Sequence, residues 1–134
     1  MKNFPQDYGV VIEMLQRACP RLISIYAFGS YGTKDQNKES DIDVAFLTHE
    51  ELSSLERFEL QEKIASIYSR DLDLIDIRLV STVFQFQIIS QERRIFCSDE
   101  IQACEFEAAV LSDYLRLQEE RKDILLDFVA GLKP

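Results

Sequence analysis

Apolar residues recur along the chain in two patterns, one with helical spacing and one typical of strands. In residues 7–19 they are three and four positions apart, which predicts a helix that ends before Pro20. Residues 21–28 are β-branched and aromatic, and Gly29 follows them directly. This combination indicates a short strand that leads into a tight turn.

The middle of the chain repeats both patterns. Residues 41–47 predict a second strand, and apolar positions at helical spacing predict a helix over residues 52–68. A third strand over residues 72–80 carries acidic side chains. A helix over about residues 82–91 and a short edge strand at residues 95–97 complete this part.

The segment from residue 98 onwards predicts a long amphipathic helix. Ser98 and Asp99 offer side-chain acceptors for its first turn, and Glu100 suits the positive end of the helix dipole. We expect a break near Glu119. Its apolar side is wider than one small sheet buries, which favours contact with a partner or a second copy. The residues in question are Tyr114, Leu115, Phe128 and Val129.

The order of these elements predicts an α/β or α+β domain with a small mixed sheet flanked by helices and followed by a long C-terminal helix. A chain of 134 residues is enough for one buried core. We therefore expect a single domain over residues 1–134, with a core at about 7–97 and a helical extension at about 98–132.

The chain is strongly acidic, with 24 Asp and Glu against 15 Lys and Arg and a net charge of −9. Such a surface repels the backbone of nucleic acids, so broad nucleic-acid binding is not expected. A small phosphorylated ligand remains compatible with it, because metal ions in a cleft reverse the local field.

The cysteine spacing and the absence of a long apolar stretch indicate the compartment. Cys19, Cys97 and Cys104 form no CxxC pair and have no histidine nearby, which argues against a disulfide framework and a zinc site. No stretch of the sequence has the pattern of a signal peptide or a membrane span. We expect a soluble protein of the cytoplasm.

Two aspartates one residue apart begin the second predicted strand. Residues two apart in a strand point the same way, so Asp41 and Asp43 share one face while Ile42 and Val44 enter the core. Like charges at ~4 Å repel by about 4 kcal/mol at an effective dielectric of about 20, so the pair needs a cation or a proton. Carboxylate oxygens at this spacing suit Mg²⁺ or Mn²⁺.

Gly29 and Ser30 form the turn after the first predicted strand. Glycine allows backbone N–H groups to approach a phosphate closely, and Ser30 adds a hydroxyl. Beside metal ions, this turn would hold the β and γ phosphates of a nucleoside triphosphate while the metals activate the α phosphorus. The two motifs together predict a nucleotidyl-transfer site.

A third carboxylate usually completes a two-metal site and accepts the proton of the attacking hydroxyl. The third predicted strand offers Asp71, Asp73 and Asp76. Asp73 and Asp76 have opposite parity, so a regular strand directs only one of them at the cleft. We favour Asp73, with Asp76 as the alternative.

The motif Gly29-Ser30, ten residues and Asp41-Ile42-Asp43 resembles the GS-x10-DxD signature of the DNA polymerase β-like nucleotidyltransferase superfamily. The LDLIDI segment at residues 72–77 resembles the third acidic strand of that family. By its length the chain is similar to the minimal nucleotidyltransferases, the MntA-like antitoxins that are paired with HEPN-domain toxins. The resemblance covers about residues 7–97.

The resemblance implies a nucleotidyltransferase fold, ATP as the donor and two Mg²⁺ ions. Gly29 and Ser30 would bind the triphosphate. Asp41 and Asp43 would ligate both metal ions, and Asp73 would ligate the catalytic ion and serve as the base. The family pattern further implies an antitoxin that transfers AMP to a tyrosine of its partner HEPN RNase toxin.

The loop between the two motifs departs from the family pattern. An arginine that is common near the phosphates in relatives is missing from it, which leaves Lys34 or Lys38 as substitutes.

Two other functions stay open. One is a non-catalytic antitoxin that neutralises the toxin by binding, which the long amphipathic helix and the acidic surface favour. The other is nucleotidyl transfer to a small molecule, although a second domain to enclose such a substrate is not evident.

Overall fold

The computed structural model of the protein describes residues 8–31, 33 and 41–132. Its strands are β1 (Leu22–Phe28), β2 (Ile42–Thr48), β3 (Leu72–Asp76) and β4 (Arg94–Cys97). They form one sheet in the order β3-β2-β1-β4. β1 is antiparallel to both β2 and β4, whereas β2 and β3 are parallel. The predicted small mixed sheet is confirmed.

Two pairs of helices cover the two faces of the sheet. The helices are α1 (Gly9–Ala18), α2 (Ser54–Tyr68), α3 (Thr82–Ser90) and α4 (Glu100–Gly131). Leu15 of α1 and Ile64 of α2 pack against one face, whereas Ile88 of α3 and Ala103 of α4 pack against the other. All seven residues of β1 are buried, which explains why its apolar run is continuous rather than alternating.

Side chains along β2 point alternately to the two faces of the sheet, which separates Ile42 and Val44 from the acidic residue Asp43. Ile42 and Val44 are fully buried beneath α1 and α2, as the sequence predicts. Ala45 and Leu47 belong to the opposite core, under α3 and α4. Asp43 shares their parity but lies nearer the start of the strand, where it is only half-buried.

β3 is shorter than the sequence predicts. It ends at Asp76 rather than at residue 80, and a 3₁₀ helix, Ile77–Leu79, follows it. The Asp76 side chain accepts a hydrogen bond from the Arg78 backbone N–H at 3.0 Å. This local side-chain bond caps the new turn and competes with continued strand pairing.

The prediction of a break near Glu119 is wrong, because α4 runs without interruption. Glycine and proline are absent from its interior, and Leu, Arg, Gln, Glu and Lys favour the helix throughout that region. The cap is Asp99, whose side chain accepts from the Gln102 N–H at 3.1 Å. The Ser98 hydroxyl instead donates to the Leu22 carbonyl of β1.

The second half of α4 lies at the surface, and every residue from 118 to 132 is exposed. Tyr114, nearer the core, stacks on Phe86 of α3 with ring centroids 3.9 Å apart. Farther along, the exposed fraction is 61% for Leu125 and 64% for Phe128. Within the described residues, no helix combines the length and apolar character that crossing a membrane requires.

Candidate active site

The sheet topology brings the turn and two of the predicted acids to one end of the sheet. Because β1 and β2 are antiparallel, Phe28 at the end of β1 lies opposite Asp43 near the start of β2. Because β2 and β3 are parallel, Asp43 also lies beside Asp73 near the start of β3. Gly29 follows Phe28 directly, so it reaches the same end.

Asp43 and Asp73 form a close carboxyl pair joined by a hydrogen bond. Burial, followed by the charges of Asp73 and Asp41, raises the pKa of Asp43 to about 6, while the positive charge of Arg93 acts in the opposite direction. Such a pair requires a shared proton or a cation. Its hard oxygen donors therefore fit a divalent ion such as Mg²⁺.

Asp41 is the more exposed member of the predicted set. It precedes β2, and its charge contributes to the raised pKa of Asp43. In the parts of the chain that the structure describes, no three His, Cys, Asp or Glu side chains lie close enough together to hold one metal ion. The structure therefore brings Asp43 and Asp73 together and leaves Asp41 on the exposed side of the pair.

Asp76, the alternative third carboxylate, lies farther along β3. It is in register with Phe46, not with Asp43, and its side chain caps the 3₁₀ helix. It lies three positions along the strand from Asp73, a distance of about 10 Å. Asp71 precedes the strand and is exposed, and its carbonyl accepts the Ile42 N–H at 2.9 Å.

Gly29 is constrained both by its backbone conformation and by its neighbour. Its φ of +76° lies in the left-handed region that favours glycine. A Cβ at this position would lie 2.3 Å from the Asp43 Oδ2 atom. Only a glycine allows the turn to approach the carboxyl pair so closely.

The rest of the turn is closed by hydrogen bonds and aromatic packing. The Ser30 carbonyl accepts the Thr33 N–H at 3.0 Å. The Tyr31 ring is buried and meets the Tyr8 ring edge-on, with centroids 5.6 Å apart, so Tyr31 is a packing residue. The candidate phosphate ligands Lys34 and Lys38 lie outside the described residues.

Arg93, immediately before β4, is a residue that sequence reasoning missed. Its guanidinium donates to the Gly29 carbonyl at 2.7 Å, to the Tyr31 carbonyl at 2.5 Å and to the Tyr8 hydroxyl at 3.0 Å. It thus supplies a positive charge beside the turn, from a position 64 residues away from Gly29. Its only signal in the sequence is the pair of arginines before a predicted edge strand.

Comparison with known proteins identifies the family of the chain. The model of the polymerase beta nucleotidyltransferase family matches residues 10–101. The protein adenylyltransferase MntA of Shewanella oneidensis is 37% identical over 121 residues, which are 90% of this chain and 86% of that protein.

Two solved structures of toxin–antitoxin complexes contain a chain with the same fold. In a complex with AMP-PNP, the matching chain gives a TM-score of 0.81 at 35% identity and covers 92% of this chain and 99% of that one. In the complex of the tri-AMPylated Shewanella oneidensis HEPN toxin with the MNT antitoxin, the matching chain gives a TM-score of 0.74 at 34% identity. The match covers 90% of this chain and 94% of that one. The family match and these sequence identities show that the chain belongs to the polymerase beta nucleotidyltransferase family.

Proposed function

We propose that this chain is a Mg²⁺-dependent protein adenylyltransferase of the cytoplasm that transfers AMP from ATP to a hydroxyl, that of a tyrosine, on a HEPN RNase toxin. The modification would make the chain the antitoxin of that toxin. One observation carries the proposal: Asp43 and Asp73 are paired in register directly beside the Gly29-Ser30 turn. The 37% identity to an adenylyltransferase supports the same reaction.

The residues take distinct roles in this reaction. The backbone N–H groups at Gly29 and Ser30 would bind the triphosphate, and Asp41, Asp43 and Asp73 would supply the carboxylates for two Mg²⁺ ions. When bound, these ions neutralise the charge that builds up on the phosphates. Asp73 accepts the proton of the attacking hydroxyl. The hydroxyl oxygen forms a bond to the α phosphorus, and the bond from that phosphorus to the β-bridging oxygen breaks, which releases pyrophosphate.

The direct test uses ATP labelled at the α phosphate together with the purified chain, its toxin and Mg²⁺. We expect the label on the toxin and an increase in toxin mass by one or more AMP units. Asp41→Asn and Asp43→Asn each remove a charged metal ligand, so transfer should fall by about 10³-fold or more while the protein stays folded. Near-normal transfer by either variant would rule out this mechanism.

The exposed apolar part of α4 favours binding as a second means of neutralisation. Leu125 and Phe128 are mostly exposed, and Asp123 and Asp127 are exposed on the same stretch of helix. Such a surface fits a partner with an apolar patch and a basic rim. If binding alone neutralises the toxin, the double variant Asp41→Asn/Asp43→Asn still protects cells.

A further inference from the structure

The guanidinium of Arg93 ties together three oxygen atoms around the predicted phosphate-binding turn. Nη1 donates to the Gly29 carbonyl, and Nη2 donates to both the Tyr31 carbonyl and the Tyr8 hydroxyl. The Tyr8 hydroxyl itself donates to the Tyr31 carbonyl at 3.0 Å. Both carbonyls that flank Ser30 are therefore held by one planar cation.

These bonds determine which way the amides of the turn point. A peptide unit is planar and trans, so its N–H points away from its C=O. Because the Gly29 carbonyl is held toward Arg93, the Ser30 N–H is directed to the opposite side. A backbone N–H that points to that side can donate to a phosphate oxygen.

Arg93 is itself held in place by the sheet. Its carbonyl accepts the Ala27 N–H at 2.8 Å, which fixes the chain before β4 against the end of β1. Glu92, the residue before it, has a φ of +54°, so the chain turns sharply between α3 and β4. The guanidinium thus starts from a residue whose backbone is hydrogen-bonded to the end of β1, next to the turn.

The chemistry of arginine suits this task better than that of lysine. The planar guanidinium has five donors in a fixed geometry and can bridge two carbonyls, whereas an ammonium group is a compact charge on a flexible stem. Arg93 Nε is buried without a hydrogen-bond partner. Burying Nε without a partner costs free energy, and the hydrogen bonds of the two terminal nitrogens keep the side chain in place despite this cost.

We propose that Arg93 is a positioning residue for the triphosphate: it holds the Gly29-Tyr31 turn so that the turn's amides face the phosphates. This inference rests on the proposed function, because it concerns the same nucleotide site. Arg93 need not contact the nucleotide, since it acts through the backbone of the turn.

The test measures the Kd of AMP-PNP with Mg²⁺ by calorimetry for the wild-type chain, Arg93→Lys, Arg93→Met and Arg94→Met. Loss of two charge-assisted hydrogen bonds to the turn should raise the Kd about 30-fold in Arg93→Met and about 10-fold in Arg93→Lys. Arg94→Met is the matched control, because the Arg94 guanidinium pairs with Glu100 and Glu107 of α4 instead. Its Kd should stay within about twofold of wild type.

Transfer kinetics separate positioning from a general loss of structure. In Arg93→Lys the KM for ATP should rise while kcat at saturating ATP stays close to that of the wild type. The reason is that a saturating concentration of ATP restores the binding conformation of the turn. Partial unfolding would instead lower kcat and leave KM unchanged. Tyr8→Phe, which removes only the hydroxyl that accepts from Arg93, should raise the Kd about threefold.

Each outcome has one meaning. If the wild-type chain does not bind AMP-PNP, the proposed function fails, and the inference fails with it. If the wild type binds and Arg93→Lys binds equally well, the positioning role is overturned while the proposed function stands. If Arg93→Met does not fold, Arg93→Lys and Tyr8→Phe decide the matter, and wild-type affinity in both overturns the inference.

Discussion

Gly29 at the end of β1 and Gly131 at the end of α4 show how differently the two regions of the molecule are constrained. A Cβ on Gly29 would lie 2.3 Å from a carboxylate oxygen of Asp43, whereas a Cβ on Gly131 would meet nothing within 4 Å among the described residues beyond its own turn of helix. A small change at the sheet end is therefore transmitted to the carboxyl pair. The end of α4 touches little of its own chain, so its surface is available to a partner.

The largest expected effect lies within β3, in the two acids that the sequence leaves as alternatives. Asp73→Asn should lower the rate of AMP transfer about 10³-fold, because it removes the proposed base and a metal ligand. Asp76→Asn should leave the rate within about threefold, since Asp76 only caps the 3₁₀ helix. Initial rates with labelled ATP measure both, and an equal loss in the two variants contradicts the assignment.

The two glycines provide the next test of the comparison. Gly29→Ala places a methyl group against Asp43 at a positive φ, so it should lower transfer about 100-fold and the free energy of unfolding by about 2 kcal/mol. Gly131→Ala should leave transfer unchanged and raise the free energy of unfolding by up to about 0.5 kcal/mol through helix propensity. Urea denaturation and the transfer assay measure the two quantities.

One outcome for Gly29→Ala would argue against a catalytic role for the close approach of Gly29 to Asp43. Wild-type transfer in Gly29→Ala would mean that the turn moves away from Asp43 without loss, and the close approach would then have no part in catalysis.

The sheet end was largely predictable because alternation acts between near neighbours in the chain. The two-residue period of β2 is sufficient to bury Ile42 and Val44 and to put Asp43 on the opposite face. The end of β3 was missed because Asp76 makes a side-chain bond to the backbone of Arg78, which no periodicity of apolar residues reveals.

Arg93 could not be assigned from the sequence for a different reason. Its contacts with Gly29 and Tyr31 depend on the antiparallel pairing of β1 with β4, which aligns residues far apart in the chain. Nothing in the spacing of charges specifies that pairing. The continuity of α4 past Glu119 is the opposite case, since the strong helix formers around that residue are evident in the sequence and favour an unbroken helix.

A third prediction concerns the exposed end of α4. Leu125→Asp and Phe128→Asp should each weaken toxin binding about 10-fold or more, because a charge would be buried in an apolar contact. The free energy of unfolding should change by less than about 0.5 kcal/mol, since both side chains are exposed. Ala130→Asp is the matched control: it lies two residues past Phe128, near the opposite side of the helix. Calorimetry measures the affinity of each variant for the toxin. Equal affinities for all three variants would contradict a toxin-binding role for Leu125 and Phe128.

The smallest effect is a pH-dependent gain in stability at the sheet end. The pKa of Asp43 in the folded chain is about 6, above its ordinary value of 3.8, because of burial and the neighbouring acids. The folded chain therefore favours the protonated carboxyl. The stabilisation that Asp43 contributes is fully present below about pH 3.8 and is lost as the pH rises through 6. Asp43→Asn removes an ionised buried group, so at pH 8 it should raise the free energy of unfolding by about 1 kcal/mol after allowance for solvent screening.

That gain identifies the charge on Asp43 as its cause only if it depends on pH. At pH 4 the wild-type carboxyl is mostly protonated in the folded chain, so Asp43→Asn should then match the wild type in thermal melting without metal. Gly131→Ala is the control, because its gain comes from the backbone and should be similar at pH 4 and pH 8. A stability difference of the same size at both pH values would mean that packing, and not ionisation, limits the stability of this end of the sheet.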